Sequence, residues 1–151
     1  MKLHTTSETI SFARELEERS ARFYEALSER FPEDGQILHS FAAENKKFIT
    51  QIQRAYYSVI TDAIEGCFAF DLEADHYRFT PELTQDVTQR DALTQALEME
   101  EKIVGFYTTA AEQSMSLMAD LPRNFKIVAK KRQNRISHLK TLIEQLREKG
   151  S

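Results

Sequence analysis

The chain has 151 residues, with 20 Lys and Arg against 24 Asp and Glu, and a formal net charge of −4. Hydrophobic residues make up 41%, which suits a single domain with a real core and excludes a disordered chain. The acidic balance gives no electrostatic case for nucleic acid or an acidic membrane, and the lone Cys67 excludes an internal disulfide or a Cys-x-x-Cys metal knuckle.

Four glycines and three prolines leave room for long uninterrupted elements. The opening MKLHTTSETI has no apolar signal core, and no stretch is long enough to span a bilayer, so a soluble, cytoplasmic protein is expected. Apolar residues then recur at three- and four-residue spacing in four segments. The first is expected at about residues 7–31, entered through a Thr5/Glu8 capping box and stopped by Phe31-Pro32-Glu33-Asp34-Gly35. The second, about 36–64, follows Leu38, Phe41, Phe48, Ile52 and Val59. The third, about 91–117, begins near a Thr88/Asp91 cap pair and follows Leu93, Leu97, Val104, Tyr107 and Ala111. The fourth, about 121–149, has Asp120 as the expected N-cap and Pro122 in its first turn.

Short connections join the first helix to the second and the third to the fourth, so each pair should form an antiparallel hairpin. Residues 65–90 separate the hairpins. A helix of this length is about 40 Å long, and so long a segment can retrace it. Its apolar residues Phe68, Phe70, Leu72, Tyr77 and Phe79 should pack on the bundle. The expected fold is all-α: one domain, a ferritin-like four-helix bundle made of two antiparallel hairpins and one long crossover.

One pattern occurs twice. EERSARFY at 17–24 and EEKIVGFY at 100–107 both fit E-E-x-x-x-x-F-Y. At about 100° per residue, Glu17 and Tyr24 share the apolar stripe of the first helix, and Glu100 and Tyr107 that of the third. Glu18 and Glu101 turn away into solvent. Each repeat thus sets one carboxylate in an apolar seam, where it needs a counter-charge or a metal. The partner helices carry matching interruptions: Asn45 between Phe41 and Phe48, and Arg132 between Val128, Ala129 and Ile136, with Arg135 one turn on.

Two E-x6-Y helices, two partner helices and a long crossover resemble the rubrerythrin-like branch of the ferritin-like superfamily. That resemblance implies two irons, held by a Glu from helices one and three and a Glu-x-x-His from helices two and four. Glu17 and Glu100 match the single-glutamate positions. The remaining ligand positions fall on Asn45 and Phe48, and on Arg132 and Arg135, which supply neither carboxylate nor imidazole. Glu44 and Lys47 do not rescue the second helix, and His138 lies well off the stripe of the fourth. His4, His39 and His76 lack ligand spacing.

The expectation is a vestigial metal site in which Arg132, with Arg135, neutralises Glu17 and Glu100, with Asn45, Tyr24 and Tyr107 as hydrogen-bonding neighbours. The function then expected is a non-catalytic structural or partner-binding bundle, a homodimer through Tyr56, Tyr57 and crossover aromatics, with no cofactor. The alternative is a di-iron oxidoreductase or peroxidase with an atypical site drawn from Glu17, Glu100, Glu44 and His138; iron would be its cofactor. The basic fourth helix reads as a solvated face rather than a nucleic-acid surface, and Cys67 as a packing residue.

Overall fold

The computed structural model describes residues 1–59, 68–115 and 120–149. Among them the chain is mostly helical. Strand β1 (Lys2–Thr5) leads into α1 (Thr6–Arg30), and a 3-10 turn at Pro32–Asp34 leads into α2 (Gly35–Val59). Strand β2 (Phe68–Glu73) and a second 3-10 turn (Ala74–His76) precede α3 (Gln89–Ser114) and α4 (Asp120–Glu148).

Local chemistry explains the helix starts. The Thr5 side chain accepts from the Glu8 backbone N–H, and the Glu8 carboxylate accepts from the Thr5 N–H, both close to 3 Å (3.1 and 3.0 Å). This capping box satisfies donors that the first turn would otherwise leave orphaned. Thr88 caps α3 in the same way, accepting from the Asp91 N–H at 3.1 Å. Asp120 differs from expectation: it is the first residue of α4 rather than its cap. The cap position, residues 60–64 of the expected second helix, residues 116–117 of the third, and Cys67 lie outside the described residues.

The chain is all-α in class, as expected, with one small two-stranded sheet beside the helices that was not expected. β1 pairs antiparallel with β2, Leu3 opposite Leu72 and Thr5 opposite Phe68, with an irregularity between Leu3 and Thr5. Both leucines are buried. A four-residue strand is too short to show a period, and its partner lies far along the chain, so neither was visible as an element.

Contacts along the helices fix their directions. Glu17 lies by Asn45 and Tyr24 by Phe41, so α1 and α2 are antiparallel. Glu100 lies by Arg132 and Tyr107 by Phe125, so α3 and α4 are antiparallel too. Tyr24 meets Glu100 and Glu17 meets Tyr107, so α1 also opposes α3. It follows that α2 and α3 run the same way. Around the bundle, α1 and α4 each touch α2 and α3 and face each other across a diagonal.

Because α2 and α3 are parallel, the connection between them must travel the length of the bundle. It climbs over α1 and α3. Arg78 pairs with Glu15, Lys102 donates to the Arg78 carbonyl, and Gln95 donates to the carbonyls of Thr80 and Glu82. Arg30 holds the carbonyls of Thr84 and Gln85. Phe70 and Leu72 are buried, and Tyr77 and Phe79 pack against the core. Among the described residues no such strap crosses the α2–α4 side.

The core is closed by aromatic edges. Phe12 meets Phe106 at 5.3 Å, and a chain of rings runs from Tyr77 through Phe106 and Tyr107 to Phe125. Leu97 and Val104, expected on the inner stripe of α3, are only half-buried; Ala96 and Ile103 take the buried positions. Tyr56, expected to be partly exposed, is buried, while Tyr57 is exposed.

Candidate functional site: a buried ionic layer

Halfway along the bundle the apolar core is interrupted. Glu17, Asn45, Glu100, Arg132 and Arg135 are all buried, one or more from each helix. Glu18 and Glu101, the second glutamates of the repeat, are exposed.

Arg132 is the centre. Its Nη2 and Nε donate to Glu17 Oε1 and Oε2 at 2.6 and 3.2 Å, a two-pronged contact. Its Nη1 donates to Glu100 Oε1 at 2.5 Å. Nη2 also reaches the Asn45 side-chain oxygen at 3.4 Å. One planar guanidinium therefore spans carboxylates from α1 and α3, which the fixed fork of arginine permits and a lysine ammonium does not.

The tyrosines cross over. Tyr24 donates to Glu100 Oε2 at 2.5 Å, and Tyr107 donates to Glu17 Oε2 at 2.7 Å. Each tyrosine thus bonds the glutamate of the other repeat. Equal spacing on antiparallel helices forces this exchange: where Glu17 faces Tyr107, Tyr24 must face Glu100.

Arg135 works one turn along. It donates to Glu44 from Nη2 and Nε at 2.8 and 3.1 Å, to Glu100 Oε2 at 3.4 Å and to the Phe41 carbonyl at 2.9 Å. Its guanidinium lies 4.9 Å from the Phe41 ring centroid and 5.1 Å from that of Phe48. Phe48 also lies 5.5 Å from the guanidinium of Arg132. The Phe48 ring thus offers its face to both cations.

The electrostatics follow from burial and pairing. Burial pushes the Glu100 carboxyl up, but Arg132, Arg135 and the Tyr24 hydroxyl outweigh it and hold the group below the usual carboxylate range. Burial also acts against charge on Arg132, yet Glu100 and Glu17 together raise its proton affinity well above the ordinary value. Tyr24 and Tyr107 are both pushed well up, by burial first and then by Glu100 and Glu17 respectively, so both stay protonated donors.

Every carboxylate oxygen of Glu17 and Glu100 already accepts from a guanidinium or a phenol. The other positions of the resembled iron site supply an amide, a ring and two cations. These residues do not fit two irons. Among the described residues no group of three or more His, Cys, Asp or Glu side chains could hold a metal ion. Glu44 is turned to Arg135, and His138 is exposed, its ring edge-on to Phe41. His39 and His76 are exposed as well, and His4 is half-buried.

Glu44 is the member of the layer that the sequence reading missed as a charge partner. It precedes Asn45 and sits on the edge of α2 that faces α4, so a search for acidic residues beside the Arg135 stripe could have found it. What the layer can do chemically is limited. The carboxylate oxygens of Glu17 and Glu100 are taken up by buried donors, and of the layer's carboxylates Glu44 alone reaches the surface, with its side chain 38% exposed. No helix among the described residues is long and apolar enough to cross a membrane. No family model, no curated protein and no solved structure matches this chain.

Proposed function

We propose that this chain is a rubrerythrin-related, ferritin-like bundle in which a buried guanidinium stands where the family holds two irons, and that it serves as a non-catalytic structural or partner-binding protein. The observation that carries this reading is Arg132, bonded to both Glu17 and Glu100 in the middle of the bundle. The parallel run of α2 and α3 and the strap between them support the ferritin-like topology. A cation fixed by two carboxylates offsets the charge that metal ions would otherwise offset, and it removes the open coordination positions that di-iron chemistry needs.

Two experiments test the reading. Protein produced with added iron should carry no stoichiometric metal by elemental analysis; about two irons per chain, the count of the family's site, would overturn it. The second restores the ligand set with Asn45→Glu, Phe48→His, Arg132→Glu and Arg135→His together. A folded variant that takes up iron supports the shared ancestry of the site. A folded variant that takes up none sinks the alignment of α2 and α4 with the family. Light scattering reads the proposed homodimer, for which exposed Tyr57 is the nearest aromatic anchor.

A further inference from the structure

We propose that the open α2–α4 side of the bundle is a docking groove for an acidic peptide segment of a partner protein. The inference rests on the reading of the chain as a partner-binding bundle and names the kind of partner.

The charge distribution is the starting point. Between Asp120 and Glu144 the sequence has seven Lys and Arg and no acidic residue; between Glu44 and Asp62 it has three and again none. Arg132 and Arg135 are consumed inside. Of the other eight, Lys46, Lys47 and Arg54 from α2 and Lys131 from α4 are exposed on this side, and Arg123, Lys126, Lys130 and Lys140 are exposed elsewhere on α4. None of the four on this side forms a salt bridge among the described residues, although the chain as a whole is acidic. Neighbouring like charges repel, so a helix side held this way lacks its counter-charge.

Shape selects the partner. A groove of about 680 Å³ runs between α2 and α4, with Lys46, Lys47 and Arg54 on one wall, and Gln51 joined to Asn124 at 2.9 Å across it. On the α4 wall Lys131 stands over the Phe48 ring of α2, its Nζ 6.0 Å from the centroid. Among the described residues Asp120 is the one carboxylate lining the groove. The described part of the crossover lies on α1 and α3. A groove of that size suits an extended or helical segment with carboxylate side chains. A nucleic-acid duplex would meet the field of a net acidic protein over a much larger area. An acidic bilayer would meet Ala55 as the one apolar side chain among the described residues of this lining.

The test uses the whole chain and a fluorescein-labelled oligo-glutamate peptide, followed by anisotropy at physiological salt. Saturable binding is expected, weakening as salt rises. The pair Lys47→Glu and Arg54→Glu, and separately Lys46→Glu and Lys131→Glu, should each weaken it about tenfold or more. Reversal of Arg19 and Arg22 on α1 should not. If a reversal disturbs the fold by circular dichroism, the same positions as Gln replace it. The proposal is overturned by no binding, by equal loss from the α1 reversal, or by tighter binding of a charge-matched DNA duplex or of acidic vesicles through the same residues. Iron content measured on the same sample separates the two readings: an iron-free protein that ignores the peptide removes this proposal alone, and an iron-loaded one removes both.

Discussion

The two sides of α4 put cations to opposite uses. Inward, Arg132 and Arg135 are buried, and their N–H groups point at carboxylates and a backbone carbonyl. Outward, Arg123, Lys126 and Lys130 stand in solvent, and none forms a salt bridge among the described residues. One helix thus carries positive charge that the fold saturates and positive charge that it leaves unmatched. The lesson is that basic composition says little until the partners are counted. The inner cations are bound to the stability of the bundle, and the outer ones are available for something else.

Removing an inner cation should break that contrast most severely. Arg132→Leu leaves Glu17 buried without its counter-charge and Glu100 with Arg135 alone at 3.4 Å, and should cost about 3–5 kcal/mol in urea unfolding. A loss under about 1 kcal/mol, the size of an exposed pair, would mean the layer contributes no more than a surface salt bridge. The next effect in size comes from the phenols. Tyr107→Phe deletes the donor to Glu17 Oε2 and leaves a buried acceptor short, at a cost of about 1–3 kcal/mol; Tyr24→Phe should match it at Glu100.

The pH profile sharpens the comparison further, because the inner groups titrate abnormally. Glu100 is held below the usual carboxylate range, so the unfolded chain binds its proton first as pH falls. Stability from this group is complete above the unfolded value of about 4.3 and is lost as pH drops through the folded value. Tyr24 and Tyr107 are held above the usual phenol range. Their contribution is complete below about pH 10 and declines as pH rises beyond it, where the unfolded chain loses protons that the folded one keeps. Thermal melts across the range should therefore show a plateau with both shoulders, and Tyr24→Phe should flatten the alkaline one. The smallest effect belongs to the outer side. Lys126→Ala and Lys130→Ala should each move stability by no more than about 0.5 kcal/mol, as unpaired surface charges do. A larger drop in urea unfolding would show that the outer cations, too, are structural.

Much of this layer was legible in the sequence because helical spacing is a strong constraint. The E-x6-Y spacing alone put one glutamate per repeat inside and turned Glu18 and Glu101 out, as the structure has them. Arg132 could be read because it breaks an apolar stripe flanked by Val128 and Ala129. The capping chemistry of Thr5 and Thr88 was equally plain. What escaped depended on contacts between distant segments. The β1–β2 pairing joins residues far apart in the chain and has no local signature. The partner of Arg135 escaped because Glu44 is off the centre of its stripe. The exchange of tyrosines between repeats was available in principle, but it needed the antiparallel run of α1 and α3 to be used as well as the spacing. Asp120, the expected N-cap, is itself helical, and the residues before it lie outside the described ones.

The strap over α1 and α3 has a consequence for how this protein can change. Lys102, Gln95 and Arg30 grip it through the carbonyls of Arg78, Thr80, Glu82 and Thr84, atoms that every amino acid carries. The bundle recognises the path of this segment at those points, whatever side chains it displays there. The outward positions of the segment are free to drift in a lineage or to be rewritten by a designer, while the strap keeps its course.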